Sequence, residues 1–483
     1  MIVKAIVISA YALMIIVIGL LGLRKAKTFS DFFLGGRKIG AVMTAFTYGA
    51  AYFSAVLFIG FAGKIGWAFG YSGLWVAVGN ALIGVLLVWW ILGPKIKEMS
   101  TNYNVATMPE FFEKRYNSKF LKFLSSIAIF VFLVPYSAAV FMGLSYLFRS
   151  NFNMSYTLAL VFMGVFTAIY LVMGGYKSIT MIDVAFGMIM VAGVIILFIS
   201  TLIKGNGLSN ITAQLSAINP KLTKIVGPPG LWPLFSLVFL TSVAPFAMPQ
   251  LIQKFYAIKD KRAIRTGMIA STIFAILITG IAYFTGATTR VFLSPEVAPA
   301  AFNNGKPVFD ALMPELLANV IPASLSVLML LLILSASMST LAALVLVSSS
   351  SVSKDIYAGF INKKISDKSL TMLMRVLSAV FILISVIIAY FKPTTIVSIL
   401  GISWGAIGSV FLGPFIWGLF TKSANKVGAI ASAVLGLGTC LILYITKMPS
   451  PQAGTIGMIV SLIANPIFSL LKSLEPKGKL SKA

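Results

Sequence analysis

Thirteen stretches of this chain are each apolar over about 20 residues, and that limits the possible folds more than any other feature. They run roughly over 2–23, 42–63, 71–93, 123–148, 154–174, 180–203, 231–253, 266–289, 321–353, 371–391, 395–420, 427–446 and 452–471, called spans 1 to 13 below. A helix of about 20 residues crosses the hydrocarbon core of a bilayer. Backbone groups inside that core must pair internally, so only helices or a closed barrel can cross, and the short alternating segments of a barrel are absent. The expected fold class is an all-α polytopic membrane protein with 13 transmembrane helices, forming one membrane domain over 1–483. Span 1 is followed at once by Arg24, Lys25 and Lys27, a stop-transfer flank, so it reads as a retained helix rather than a cleaved signal.

The chain carries 38 Lys and Arg against 12 Asp and Glu, a net charge of +26. In a soluble protein that excess suggests nucleic-acid binding. Here the basic residues fall in the short breaks between spans, so the partner is the lipid bilayer, and no nucleic acid or obligate protein partner is expected. With the N-terminus outside, the inward breaks hold 28 of the 38 and the outward breaks the other 10. That bias follows the positive-inside rule and places the C-terminus in the cytoplasm of a cell whose plasma membrane holds the protein. The longest breaks, 94–122, 204–230 and 290–320, are too short for a soluble domain; short helices are expected near Pro109–Tyr116 and Asp310–Leu317.

Several chemistries are excluded. The chain has no histidine, which removes Ser-His and Cys-His catalysis, His-ligated metals and His proton relays. Its one cysteine, Cys440, cannot form an intramolecular disulfide and reads as a small residue in the core or facing lipid. No phosphate-binding loop is present to support ATP-driven transport. A membrane enzyme would lack a base, and a channel would want a continuous polar pore.

Polar groups inside spans are costly, so they point to function. Asp183 lies at the edge of span 6, where it suits either an ion relay or gate contact, or a cap near the interface. Span 9 reads Ser335-Ala336-Ser337-Met338-Ser339-Thr340, then Ser348 to Ser351. Ser335 and Ser339 share a helix face, with Thr340 alongside, and hydroxyl oxygens are hard ligands that suit a small hard cation. Span 2 is punctuated by Gly49, Gly60, Gly63 and Gly66, and span 7 by Pro233, Pro245 and Pro249. Two interrupted helices five spans apart are the pattern of an inverted five-plus-five repeat, with spans 2–6 and 7–11 as the halves.

At this point the residues resemble a known family, the sodium:solute symporters, over nearly the whole chain. Their acidic-aromatic-glycine-arginine loop is matched by Asp31-Phe32-Phe33-Leu34-Gly35-Gly36-Arg37. The loop between spans 3 and 4 is matched by Thr107-Met108-Pro109-Glu110-Phe111 and Arg115-Tyr116. Further matches are Tyr170 with Gly174-Gly175 and Asp183, the run Pro249 to Arg265, and Ala336 to Thr340.

The resemblance implies a leucine-transporter-like fold. The chain then divides into span 1 and its loop (1–41), repeat one (42–203), repeat two (231–420) and two C-terminal spans (427–471). It also implies a co-transported Na+ held by the carbonyls of Ala50, Phe53 and Ala336 and the hydroxyls of Ser339 and Thr340. Some members bind a second sodium through two more hydroxyls one turn on; Ala342 and Ala343 stand there, so one sodium per solute is expected. The family's solutes are small organic molecules such as proline, pantothenate and monocarboxylates, and a carboxylate-bearing solute is expected rather than a sugar. It would bind beside Tyr52, Ser54, Phe58, Tyr136, Thr241 and Pro245, with Asp183 coupling or gating. Proline carriers have an acid where this chain has Tyr52, and no Lys or Arg is expected in mid-span. Sodium-driven symport by alternating access is the expected activity. Proton coupling through Asp183 is the alternative within the same fold.

Overall fold

The computed structural model describes residues 2–23, 28–152, 154–173 and 176–474. Arg24, Lys25, Lys27, the Gly174-Gly175 pair, Lys477, Lys479 and Lys482 lie outside the described residues.

The apolar runs are helices. Among the described residues ten helices are long and apolar enough to cross a bilayer, and one of the ten, Val56–Asn102, runs for 47 residues. At about 1.5 Å per residue that is roughly twice the hydrocarbon thickness, so it makes two passes. The reversal falls at Gly70, whose φ of 59° and ψ of −136° suit glycine alone. A side chain there would also meet the Leu222 carbonyl oxygen, 2.3 Å from the position of a Cβ. Ile2–Leu23 and Tyr156–Met173 carry further apolar stretches. The architecture is compatible with the 13 expected passes. The two short helices expected outside the spans are present as Met108–Tyr116 and Phe309–Val320.

Both expected interruptions are present. Span 2 is helical over Ala41–Tyr52, leaves the helix at Phe53 and Ser54, and resumes over Val56–Phe61 and Ala62–Phe69. Span 7 is helical over Leu231–Val243, tightens over Ala244–Phe246, opens at Ala247 and Met248, and resumes over Pro249–Ala257. Proline lacks the amide that would close the ladder four residues back, so Pro245 and Pro249 release the carbonyls of Thr241 and Pro245.

Spans 2, 3, 7 and 8 pack together as one group, and spans 4, 5, 9 and 10 as another. Spans 12 and 13 pack on each other and on span 11, at the edge of the molecule. The entry to span 2 and the exit of span 7 meet at one end. There the Ile39 amide donates to the Ala257 carbonyl (3.2 Å) and the Lys259 amide to the Ile39 carbonyl (3.0 Å). The halves Ala41–Tyr52 and Pro249–Ala257 therefore lie at the same end, as an inverted repeat requires.

Candidate ion and solute site

Unwinding of span 2 exposes carbonyls beside span 9. A regular helix would send the amides of Ala55, Val56 and Leu57 to the carbonyls of Ala51, Tyr52 and Phe53. Instead Ala55 donates to the Ser337 hydroxyl (3.2 Å), Val56 to the Ser54 hydroxyl (3.2 Å) and Leu57 to the Ser54 carbonyl (3.0 Å). Three carbonyls are thereby freed from the ladder, that of Phe53 among them. The Thr340 hydroxyl lies 3.0 Å from the Ala50 carbonyl, 3.2 Å from that of Ala51 and 3.1 Å from that of Ala336. A hydroxyl has one proton to give, so it cannot satisfy all three at once. The Ser339 hydroxyl, one residue earlier, is buried without a hydrogen-bond partner among the described residues. Of the five residues expected to hold sodium, Thr340, Ala50 and Ala336 thus meet where spans 2 and 9 touch, and Ser339 and Phe53 lie close to them in the chain. Their donors are neutral oxygens, which suit a hard monovalent ion. Among the described residues no group of three or more acidic or thiol side chains could hold a metal ion.

Asp183 is buried next to this cluster, 1% exposed, rather than capping the helix near the interface. It faces the hydroxyls of Ser339 and Thr47 and feels the charge of Lys254. Neither carboxylate oxygen has a hydrogen bond of good geometry to a described residue. Lys254 corrects the sequence reading. Counted there in a break, it belongs to Pro249–Ala257, is 1% exposed and holds its ammonium 4.9 Å from the Tyr176 ring centre.

A small cavity opens between the groups of spans. Tyr52, Tyr136 and Thr241, all expected, line it, together with Asn80, Tyr283 and Trp404, which were not. The Tyr52 hydroxyl donates to the Thr241 carbonyl (2.5 Å) and lies 3.3 Å from Asn80 Oδ1. Trp404 lies 5.7 Å from Tyr52 and 5.8 Å from Tyr136 between ring centres. The lining holds no formal charge, so a solute carboxylate would meet hydroxyls and an amide.

Ser54, Phe58 and Pro245 do not line this cavity. Ser54 caps the second half of span 2 and faces Tyr136. Phe58 is packed in the core, and Pro245 acts through the carbonyl it leaves free on Thr241. Asn80 was detectable in the sequence: it is a lone amide in an apolar span, where a polar side chain is costly.

Known proteins resemble this chain over nearly its whole length. The model of the sodium:solute symporter family matches residues 32–436. The osmoregulated proline transporter OpuE of Bacillus subtilis (strain 168) is 29% identical, over 98% of this chain and 95% of its own. The sodium/pantothenate symporter of Escherichia coli (strain K12) is 28% identical, over 94% and 95%. A solved Na+-coupled sialic acid symporter, substrate-bound and outward-open, superposes with a TM-score of 0.82 at 17% identity, over 97% of each chain. It shares the leucine-transporter-like fold. The chain is a multi-pass membrane transport protein, and it belongs to the sodium:solute symporter family.

Proposed function

We propose that the protein imports a small carboxylate-bearing solute across the plasma membrane with one sodium ion, its N-terminus outside and its C-terminus cytoplasmic. The observation that carries this reading is the contact of the Thr340 hydroxyl with the Ala50 and Ala51 carbonyls at the break of span 2. Sodium bound to Ala50, Phe53, Ala336, Ser339 and Thr340 bridges the two groups of spans and favours the outward-open state. The solute then enters the cavity of Tyr52, Asn80, Tyr136 and Trp404. Rocking of one group against the other, with 42–203 and 231–420 as repeats, exposes both to the cytoplasm. Each sodium entering down 100 mV supplies about 2.3 kcal/mol, enough to drive uphill uptake. The relatives' proline and pantothenate both carry a carboxylate, which the uncharged cavity would bind through hydroxyl and amide donors.

Asp183 favours a second reading, proton coupling, because a buried carboxylate with both oxygens unpaired can take up a proton. Uptake of radiolabelled proline and pantothenate into proteoliposomes separates the two. A sodium gradient alone should drive uptake; uptake driven by a pH gradient and indifferent to sodium would overturn the first reading.

A further inference from the structure

A second, small cavity lies at the end where span 7 exits, between the two groups of spans. Gln253 and Tyr256 line it from span 7, and Ser350 and Asp355 from span 9 and its extension Ser351–Ile361.

Asp355 is fully buried. The Thr107 hydroxyl donates to its Oδ1 at 2.6 Å and itself accepts from the Glu110 amide at 3.2 Å. Oδ2 is buried without a partner. Gln253 donates its amide nitrogen to the Phe33 carbonyl at 2.9 Å, which fixes the amide plane and turns Oε1 away from Phe33. That Oε1 is also buried and unpaired, as is the Tyr256 hydroxyl. Of the cations nearby, Arg37 faces Tyr256 and donates to the Ser100 and Val105 carbonyls, and two lysines have acids of their own. Lys122 sits 2.6 Å from Glu113, and Lys354 3.8 Å from Glu110.

One cavity thus gathers a carboxylate, an amide and a phenol oxygen, each unpaired, from two groups of spans that must part. Leaving a buried carboxylate oxygen unpaired is costly, and a cation offsets that cost. The other acid that Asp355 feels, Glu110, is held by the Lys354 ammonium at 3.8 Å and accepts from the Ala106 amide at 2.8 Å. One carboxylate is then left to the cavity, and a single acid among neutral oxygens suits a monovalent ion; a divalent ion would want more carboxylates.

We propose that Asp355, Gln253 and Tyr256 form a second, cytoplasmic-side site for a monovalent cation, which the co-transported sodium visits as it leaves. The site rests on the symporter reading and its orientation, but not on the ligands at Thr340. Sodium there holds the two groups of spans together at the cytoplasmic end, so high internal sodium slows the return step.

Equilibrium binding of radioactive sodium to the purified full-length protein tests the site. The wild type should bind one sodium more per chain than Asp355→Asn or Gln253→Leu, each first checked for a monodisperse, cooperative melt. In proteoliposomes, the internal sodium needed to half-inhibit uptake should rise about tenfold in both variants. Two variants guard against one failing to fold. Unchanged sodium binding and inhibition in the variants overturns the inner site while leaving sodium symport intact. A wild type that binds no sodium and shows no sodium-driven uptake overturns the symport reading as well.

Discussion

The hydroxyl of Tyr52 donates to the carbonyl oxygen of Thr241 at 2.5 Å. The acceptor is free because residue 245 is a proline, and the donor sits one residue before span 2 leaves the helix. The two interrupted helices are thus tied to each other at their breaks, in the wall of the solute cavity. Motion of one break is felt at the other, which is where a transporter of this fold must link ion to solute.

Tyr52→Phe removes that bond and leaves the Thr241 carbonyl buried without a partner. A lost buried hydrogen bond with an orphaned acceptor costs about 1–3 kcal/mol. The solute concentration for half-maximal uptake should rise roughly tenfold. Stabilisation of the purified protein by sodium alone should persist, since the Thr340 contacts are untouched. A melting-temperature titration with sodium and then solute distinguishes these effects. Loss of both responses would show that Tyr52 holds the fold rather than the solute.

Thr340→Val keeps the side-chain shape and deletes the hydroxyl that reaches Ala50, Ala51 and Ala336. The sodium concentration for half-maximal uptake should rise at least about tenfold, whereas Thr340→Ser should stay near the wild type. Ser339→Ala removes an oxygen that no described residue satisfies, so it should weaken sodium binding without lowering stability in its absence. Unaltered sodium dependence in all three variants would refute the ligand assignment.

The span pattern and the hydroxyls proposed to hold sodium were legible in the sequence for the same reason: hydrocarbon penalises polar groups, so length and exceptions both show. Thr340 and Ser339 stood out as hydroxyls within an apolar run. Lys254 did not, because five residues on, at 259–262, a charged loop begins and the run looked finished. Only the packing of Pro249–Ala257 into the core shows that its ammonium is buried. Asp310 and Asp355 were hidden alike, each in a charged or polar stretch next to a span. Trp404 and Tyr283 could not be told from lipid-facing aromatics, since an aromatic ring in a span carries no mark of the face it occupies. Ser54 and Pro245 lie beside the site but act on the backbone, as a cap and as a missing amide.

Asp310 predicts a pH dependence. It lies in Phe309–Val320, outside the spans, and its Oδ2 accepts from the Ile396 amide at 3.1 Å, at the start of span 11. Burial raises its pKa from 3.8 to about 6, against the opposing pull of Lys64 and the Ile396 amide. Tyr146 and Tyr156 also face it. The folded protein therefore holds this proton where the unfolded chain has lost it. Its contribution to stability is full below the unfolded value and is lost as pH rises through about 6. Wild-type melting temperature should fall across that window relative to Asp310→Asn, which should show a flatter profile. Parallel profiles for the two proteins would place the titration elsewhere.

A backbone-to-backbone helix contact gives the last prediction. A Cβ on Gly66 would stand 2.0 Å from the Gly286 carbonyl carbon, and one on Gly286 would stand 2.1 Å from the Ala62 carbonyl oxygen. Span 8 here touches the second half of span 2 backbone to backbone, as small residues allow in membranes. A methyl group cannot be absorbed by rotating a side chain, so the helices must separate. Gly66→Ala and Gly286→Ala should each destabilise the fold by about 2 kcal/mol or more. The pair combined should cost less than the sum, because once the helices have parted for one methyl the second meets a wider gap. Melting temperatures of the two single variants and the double variant test this. Strict additivity would mean that the two glycines do not share one contact.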